Sequence, residues 1–72
     1  MAKEEPIHFD GTVTTALPDN NFRVAVSDEH DVLCHLAGQM VRNGVSVMEG
    51  DEVRLEVTPY DLTRGRIVER LS

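Results

Sequence analysis

The 72-residue chain has one cysteine, no tryptophan, only three aromatic residues and a single lysine. The lone thiol, Cys34, excludes an intramolecular disulfide. No signal peptide and no long apolar run is present, so the chain is expected to be soluble and cytoplasmic, with no membrane partner. The charged stretch Met1-Ala2-Lys3-Glu4-Glu5 is unsuited to targeting and is expected to fray as a flexible N-terminus over residues 1-5. With aromatics limited to Phe9, Phe22 and Tyr60, a core must be filled by valine, leucine and isoleucine, and valine is the most abundant apolar type. That composition favours strands.

Positive charge is also scarce. Thirteen acids against seven bases leave a formal charge of −6, and a field of that sign opposes binding of free nucleic acid by long-range attraction. The distribution qualifies this, because apart from Lys3 every base is an arginine: Arg23, Arg42, Arg54, Arg64, Arg66 and Arg70. Arginine is the side chain suited to bidentate phosphate and base contacts. The acids gather at Glu4-Glu5, Asp28-Glu29-Asp31 and Glu49-Asp51-Glu52, so the folded surface is expected to be two-signed.

Catalytic signatures are missing as well. No nucleophile motif is present, and a chain this short offers one small domain, residues 1-72, with no deep pocket; neither an enzyme nor a cofactor is expected. His30 lies between Glu29 and Asp31, but three adjacent residues cannot all face one ion from a strand, so no metal site is expected there. Cys34 reads as a small buried hydrophobe.

What is there is alternation. Ile7, Phe9, Gly11 and Val13 alternate with polar residues from Pro6 to about Ala16, and Gly11 marks a bulge or bend within that strand. Leu17-Pro18-Asp19-Asn20-Asn21 is a turn. Phe22, Val24 and Val26 then face inward and Arg23 outward. A third strand from about Asp31 to Leu36 places Val32, Cys34 and Leu36 inside and Leu33 and His35 outside, with Arg23 and His35 as neighbours on the outer surface. The segment Ala37 to Gly44, bounded by glycines, predicts one or two helical turns ending at Asn43-Gly44. Val45 to Met48 is a short apolar alternation.

The last third is the most patterned. Val53, Leu55 and Val57 alternate with charged residues, Pro59 stops ladder donation, Gly65 offers a positive-φ turn position, and Ile67-Val68 restart an apolar run. Tyr60, Arg64 and Arg66 are thereby expected on a short loop between paired strands. A ring and two guanidinium groups so held can stack a base and grip phosphates. The plainer alternative is a solvated hairpin in which Arg66 pairs with Asp61 and Tyr60 packs on the barrel rim. Similar alternatives attend the other candidates: a surface ion pair for Arg23, a half-buried strand histidine for His35, and a helix C-cap for Asn43 beside Arg42. Gln39 can hydrogen-bond a base or phosphate but releases no counterion.

Five strands with one short helix between the third and fourth predict an all-β, five-stranded oligonucleotide/oligosaccharide-binding (OB-fold) barrel. A five-stranded SH3-like barrel is the competitor. The helix position and the long first strand favour the former.

The residues Gly11-Thr12-Val13, Phe22-Arg23-Val24, His35-Leu36-Ala37-Gly38 and above all Thr58-Pro59-Tyr60-Asp61-Leu62-Thr63-Arg64-Gly65-Arg66-Ile67 resemble bacterial and chloroplast translation initiation factor one, across essentially the whole chain. The resemblance implies an S1-like barrel that occupies the aminoacyl (decoding) site of the small ribosomal subunit and catalyses nothing. It also implies contacts to ribosomal RNA and one ribosomal protein, and action beside the two larger initiation factors. Off the ribosome a monomer is expected. The RNA-contacting residues it points to are Arg23, His35, Gln39, Arg42, Asn43, Tyr60, Arg64 and Arg66.

The chain departs from that family's pattern between Gly38 and Val47. Gln39, Val41, Gly44 and Ser46 stand where a lysine, an arginine, a tyrosine and another arginine are usual, leaving Arg42 as the only base. Glu29 occupies a turn position where glycine is common, which at positive φ costs about 1 kcal/mol. A rival reading therefore keeps the barrel but gives it another role, a protein-interaction module whose acidic surface binds a basic partner.

Overall fold

The computed structural model describes residues 5–72, so the N-terminal end expected to fray lies, for residues 1–4, outside the described residues. Five strands follow the alternating segments: β1 (Ile7–Leu17), β2 (Asn21–Ser27), β3 (His30–Leu36), β4 (Glu52–Thr58) and β5 (Asp61–Arg70). One helix, α1 (Gly38–Arg42), separates β3 from β4. The strands close into a barrel in the order β1-β2-β3-β5-β4, with β1 pairing back to β4. All pairs are antiparallel except β3 with β5. That exception follows from connectivity, since the chain crosses from β3 to β4 through α1 and then turns back between them.

Closure depends on β1 serving two neighbours. Its first half pairs with β4, from Ile7↔Val57 to Thr12↔Glu52, and its second half pairs with β2, from Thr12↔Ala25 to Leu17↔Asn21. The bulge expected at Gly11 lies further on, where the register shifts between Val13 and Thr15. Gly11 has another role. A Cβ there would fall 2.6 Å from the Ala25 carbonyl oxygen and 2.7 Å from a Val24 methyl, so only glycine lets β2 fold this close as β1 changes partner.

The inward residues are those that alternation selects. Val13, Val24, Val32, Val53, Leu55 and Ile67 are all at most 1% exposed, and Cys34 packs among them. Each fully buried Val, Leu or Ile contributes roughly 1.5–3 kcal/mol by leaving water. In α1, Met40 is buried against the same core; the Asn43 N–H donates to the Gln39 carbonyl, and Gly44 at φ 71° lets the chain leave the helix. Val45 to Met48 forms no strand, although Val47 is buried.

Three local expectations are corrected. The β4–β5 turn is Pro59-Tyr60 alone, so Arg64 and Arg66 stand on strand β5 and not on a loop. Gly65 has no positive φ; it lies within β5, opposite Cys34 on one side and Val57 on the other. Among the described non-glycine residues only Asp19 and Asn20 have positive φ, so Glu29 carries no such strain in the Asp28-Glu29 turn.

Candidate nucleic-acid interface

Strand alternation sends every second side chain of β2, β3 and β5 outward, and the register lines these up in two rows. The first row is Arg23, Leu33 and Arg64, with Arg23 opposite Leu33 and Leu33 opposite Arg64. The second is Asn21, His35, Arg66, Glu56 and His8, each opposite the next. Two interstrand spacings therefore separate the Arg23 and Arg64 backbones, about 10 Å. Between the rows runs an open groove of 610 Å³, lined by Asn21, Leu33, His35, Glu56, Arg64 and Arg66 among others. Arg23 stands beside it, across from Leu33.

The two rows differ electrostatically. In the second, Glu56 accepts a hydrogen bond from the Arg66 guanidinium and lies 3.3 Å from His8 Nε2. This replaces the Arg66–Asp61 pair weighed from sequence: the cross-strand neighbour of Arg66 is Glu56, and the Asp61 carboxylate turns to the Thr63 N–H at 3.0 Å. Hydrogen bonds from the Thr63 hydroxyl and N–H, assisted by the charge of Arg64, hold Asp61 below the usual carboxylate range. Arg54 is locked between Asp10 at 2.9 Å and Glu69 at 3.5 Å, and its hydrogen bond to Asp10 pushes its pKa further up. Arg70 meets Asp51 at 3.4 Å. Among the described residues, Arg23, Arg42 and Arg64 have no such ion pair. The first row thus carries two guanidinium groups with no carboxylate at ion-pair distance among the described residues, Arg64 acting on Asp61 only through its charge at longer range.

Not every expected residue joins this face. Arg23 and His35 share it as diagonal neighbours, not direct partners, since His35 faces Asn21. Gln39 and Asn43 line a separate depression of 290 Å³ between α1 and the end of β5. Arg42 is exposed on α1 and lines neither hollow. Tyr60 stands 81% exposed at the β4–β5 turn. Asn21, Leu33, Glu56 and His8 were not selected by sequence, although the outward position of a leucine at 33 was a usable signal for a contact surface. Cys34 borders the groove, but its thiol is buried in the core and burial pushes it up to about 12. Among the described residues no group of three or more His, Cys, Asp or Glu could hold a metal ion, and no helix is long and apolar enough to cross a membrane.

Comparison with known proteins assigns the chain. The family described as translation initiation factor 1A / IF-1 matches residues 1–72, the whole sequence. The chain belongs to this family. It is 54% identical over 67 residues to the translation initiation factor IF-1 of Azorhizobium caulinodans, covering 93% of this chain and 74% of that protein. The solution structure of the same translation initiation factor from the Wolbachia endosymbiont of Brugia malayi superposes with a TM-score of 0.77 at 36% identity, covering 93% of this chain and 79% of that one. The five-stranded barrel with its single helix is the OB-fold of that factor, and both relatives are bacterial. Family membership makes this a translation initiation factor with a ribosome-associated role, and the family resemblance read from the segment around Tyr60 and Arg64 holds.

Proposed function

We propose that this IF-1 family member docks on the small ribosomal subunit at the decoding site through ribosomal RNA, beside a ribosomal protein and the other initiation factors, and catalyses no reaction. The observation that carries this reading is the outward row Arg23–Leu33–Arg64, in which two guanidinium groups without ion-pair partners among the described residues flank an exposed leucine. Phosphate contacts position a protein on folded RNA, and arginine makes them bidentately. Leu33 and His35 supply surface between the phosphate grips, Arg66 contributes less because Glu56 already pairs with it, and Tyr60, Gln39, Arg42 and Asn43 widen the footprint beyond the groove. The body of the barrel then excludes tRNA by occupying its place.

Sedimentation with purified small subunits tests this. Arg23→Glu with Arg64→Glu is expected to abolish co-sedimentation while leaving the circular dichroism of the barrel intact. With Arg23, Arg42 and Arg64 as the free cations, the slope of log affinity against log salt should be roughly −2 to −3. A flat salt dependence would refute RNA docking as the source of affinity. The protein-interaction alternative draws on Asp28, Glu29 and Asp31, which have no ion pair among the described residues. It predicts partner binding that survives both charge reversals.

A further inference from the structure

Arg64 is delivered to the groove by a segment that the barrel ladder does not hold. After the Pro59-Tyr60 turn, Thr58 pairs with Asp61 but Val57 pairs with Gly65, so Leu62, Thr63 and Arg64 bulge out from β4. The parallel register with β3 begins only at Leu33↔Arg64. Leu62 and Thr63 therefore sit between two ladders with a register partner in neither. A bulge leaves the ladder locally disrupted, so how firmly this segment is held depends on its side-chain contacts.

Two side chains hold it. Asp61 turns back on the Thr63 N–H, a contact within the bulge itself. The other comes from a distant strand: His30 Nε2 lies 2.9 Å from the Leu62 carbonyl oxygen. A carbonyl can only accept, so Nε2 carries the hydrogen and the ring donates. The ring is in turn fixed by Phe9, edge to face with centroids 6.0 Å apart and planes at 83°. Phe9 packs on the core from β1. A continuous path thus runs from the core through Phe9 and His30 to the backbone two residues before Arg64.

We infer that His30 is a positioning residue for the RNA contact of Arg64: its Nε2–H, braced on Phe9, pins the Leu62 carbonyl and so holds Arg64 beside Leu33. This rests on the proposed role of the groove, but its structural half can be read without RNA. Two variants separate the ring from the donor. His30→Phe keeps an aromatic contact to Phe9 and removes the donor; His30→Gln keeps an amide donor and removes the ring.

In the free protein, hydrogen exchange is expected to quicken about tenfold at the Thr63 and Arg64 amides in His30→Phe, with Val24 and Val53 unchanged. Unchanged exchange at Thr63 and Arg64 overturns the inference. In binding to purified small subunits, Arg64→Ala should weaken affinity by about tenfold, the loss of one charge-assisted contact. His30→Phe should lose most of the same factor, and His30→Gln, which keeps a donor without the Phe9 brace, should recover part of it. The double variant of His30→Phe and Arg64→Ala should bind no more weakly than Arg64→Ala alone; a loss equal to the product of the two single losses overturns the positioning role. If Arg64→Ala binds as well as the parent, the groove reading fails, and the exchange measurement still decides whether His30 pins the bulge.

Discussion

At the scale of single residues, the cross-strand neighbour decides what each arginine can do. Arg66 and Arg64 are two positions apart on one strand and share its outer face, yet Arg66 lies opposite Glu56 and Arg64 opposite Leu33. A paired guanidinium offers less to a phosphate, because its carboxylate partner must be displaced or repelled. Glu56→Gln removes that charge while keeping the shape. It is expected to steepen the salt slope of small-subunit binding by just under one unit, as Arg66 becomes a further counterion-releasing site. The cost in stability should stay within about 1 kcal/mol, because Arg66 is half exposed and screened by water although Glu56 itself is only 16% exposed. Fluorescence titration over a range of salt, with a urea melt of the same variant, checks both; an unchanged slope would show that Arg66 already meets phosphate in the parent.

At the scale of elements, β5 carries most of the constraint. It pairs with β4 on one side and β3 on the other, bulges at its start, and presents both groove arginines. Gly65 lies where it is squeezed most. A Cβ there would stand 2.8 Å from the Glu56 carbonyl oxygen and 2.9 Å from a Val57 methyl, so β4 and β5 would have to part. Gly65→Ala is therefore expected to destabilise the barrel by about 2 kcal/mol, in the range of core overpacking. For a domain of this size that lowers the melting temperature by about 10 °C. Gly38→Ala is the control, since its nearest neighbour would be the Arg42 guanidinium at an ordinary 3.7 Å. Thermal melts followed by circular dichroism should separate the two variants, and equal melting temperatures would contradict the close approach.

At the scale of the whole molecule, a net charge of −6 surrounds one face with free guanidinium groups. Long-range repulsion falls off within about 10 Å at moderate salt, whereas contacts inside a preformed pocket act at bond distance. Unspecific encounters are therefore penalised more than docking. The expected outcome is binding to small subunits at least about a hundredfold tighter than to random single-stranded RNA at 0.15 M salt, the difference of roughly two charge-assisted contacts. Filter binding of both ligands under one buffer checks this. Equal affinities would mean that the groove reads phosphate without reading shape. Arg42 being the single base between Gly38 and Val47 sharpens the expectation, since it leaves the barrel face to supply the other free cations.

Much of this architecture is written locally. Alternation of period two placed Val32, Cys34 and Leu36 inside and Leu33 and His35 outside, because in a strand the face of a side chain depends only on its neighbours in sequence. The glycine-bounded segment before Val45 read as a short helix for the same reason, and the stretch from Thr58 to Ile67 carried the family. Other features depend on which strands meet. Arg23 and Arg54 look alike in sequence, each between apolar residues of a strand, but Arg54 folds against Asp10 and Glu69 while Arg23 folds against Leu33. Gly65 reads as a turn and proves to be a point of closest approach between strands, and His30 reads as a polar turn residue but braces the backbone leading to Arg64. Those outcomes rest on register and closure between residues far apart in the chain, which no local pattern encodes.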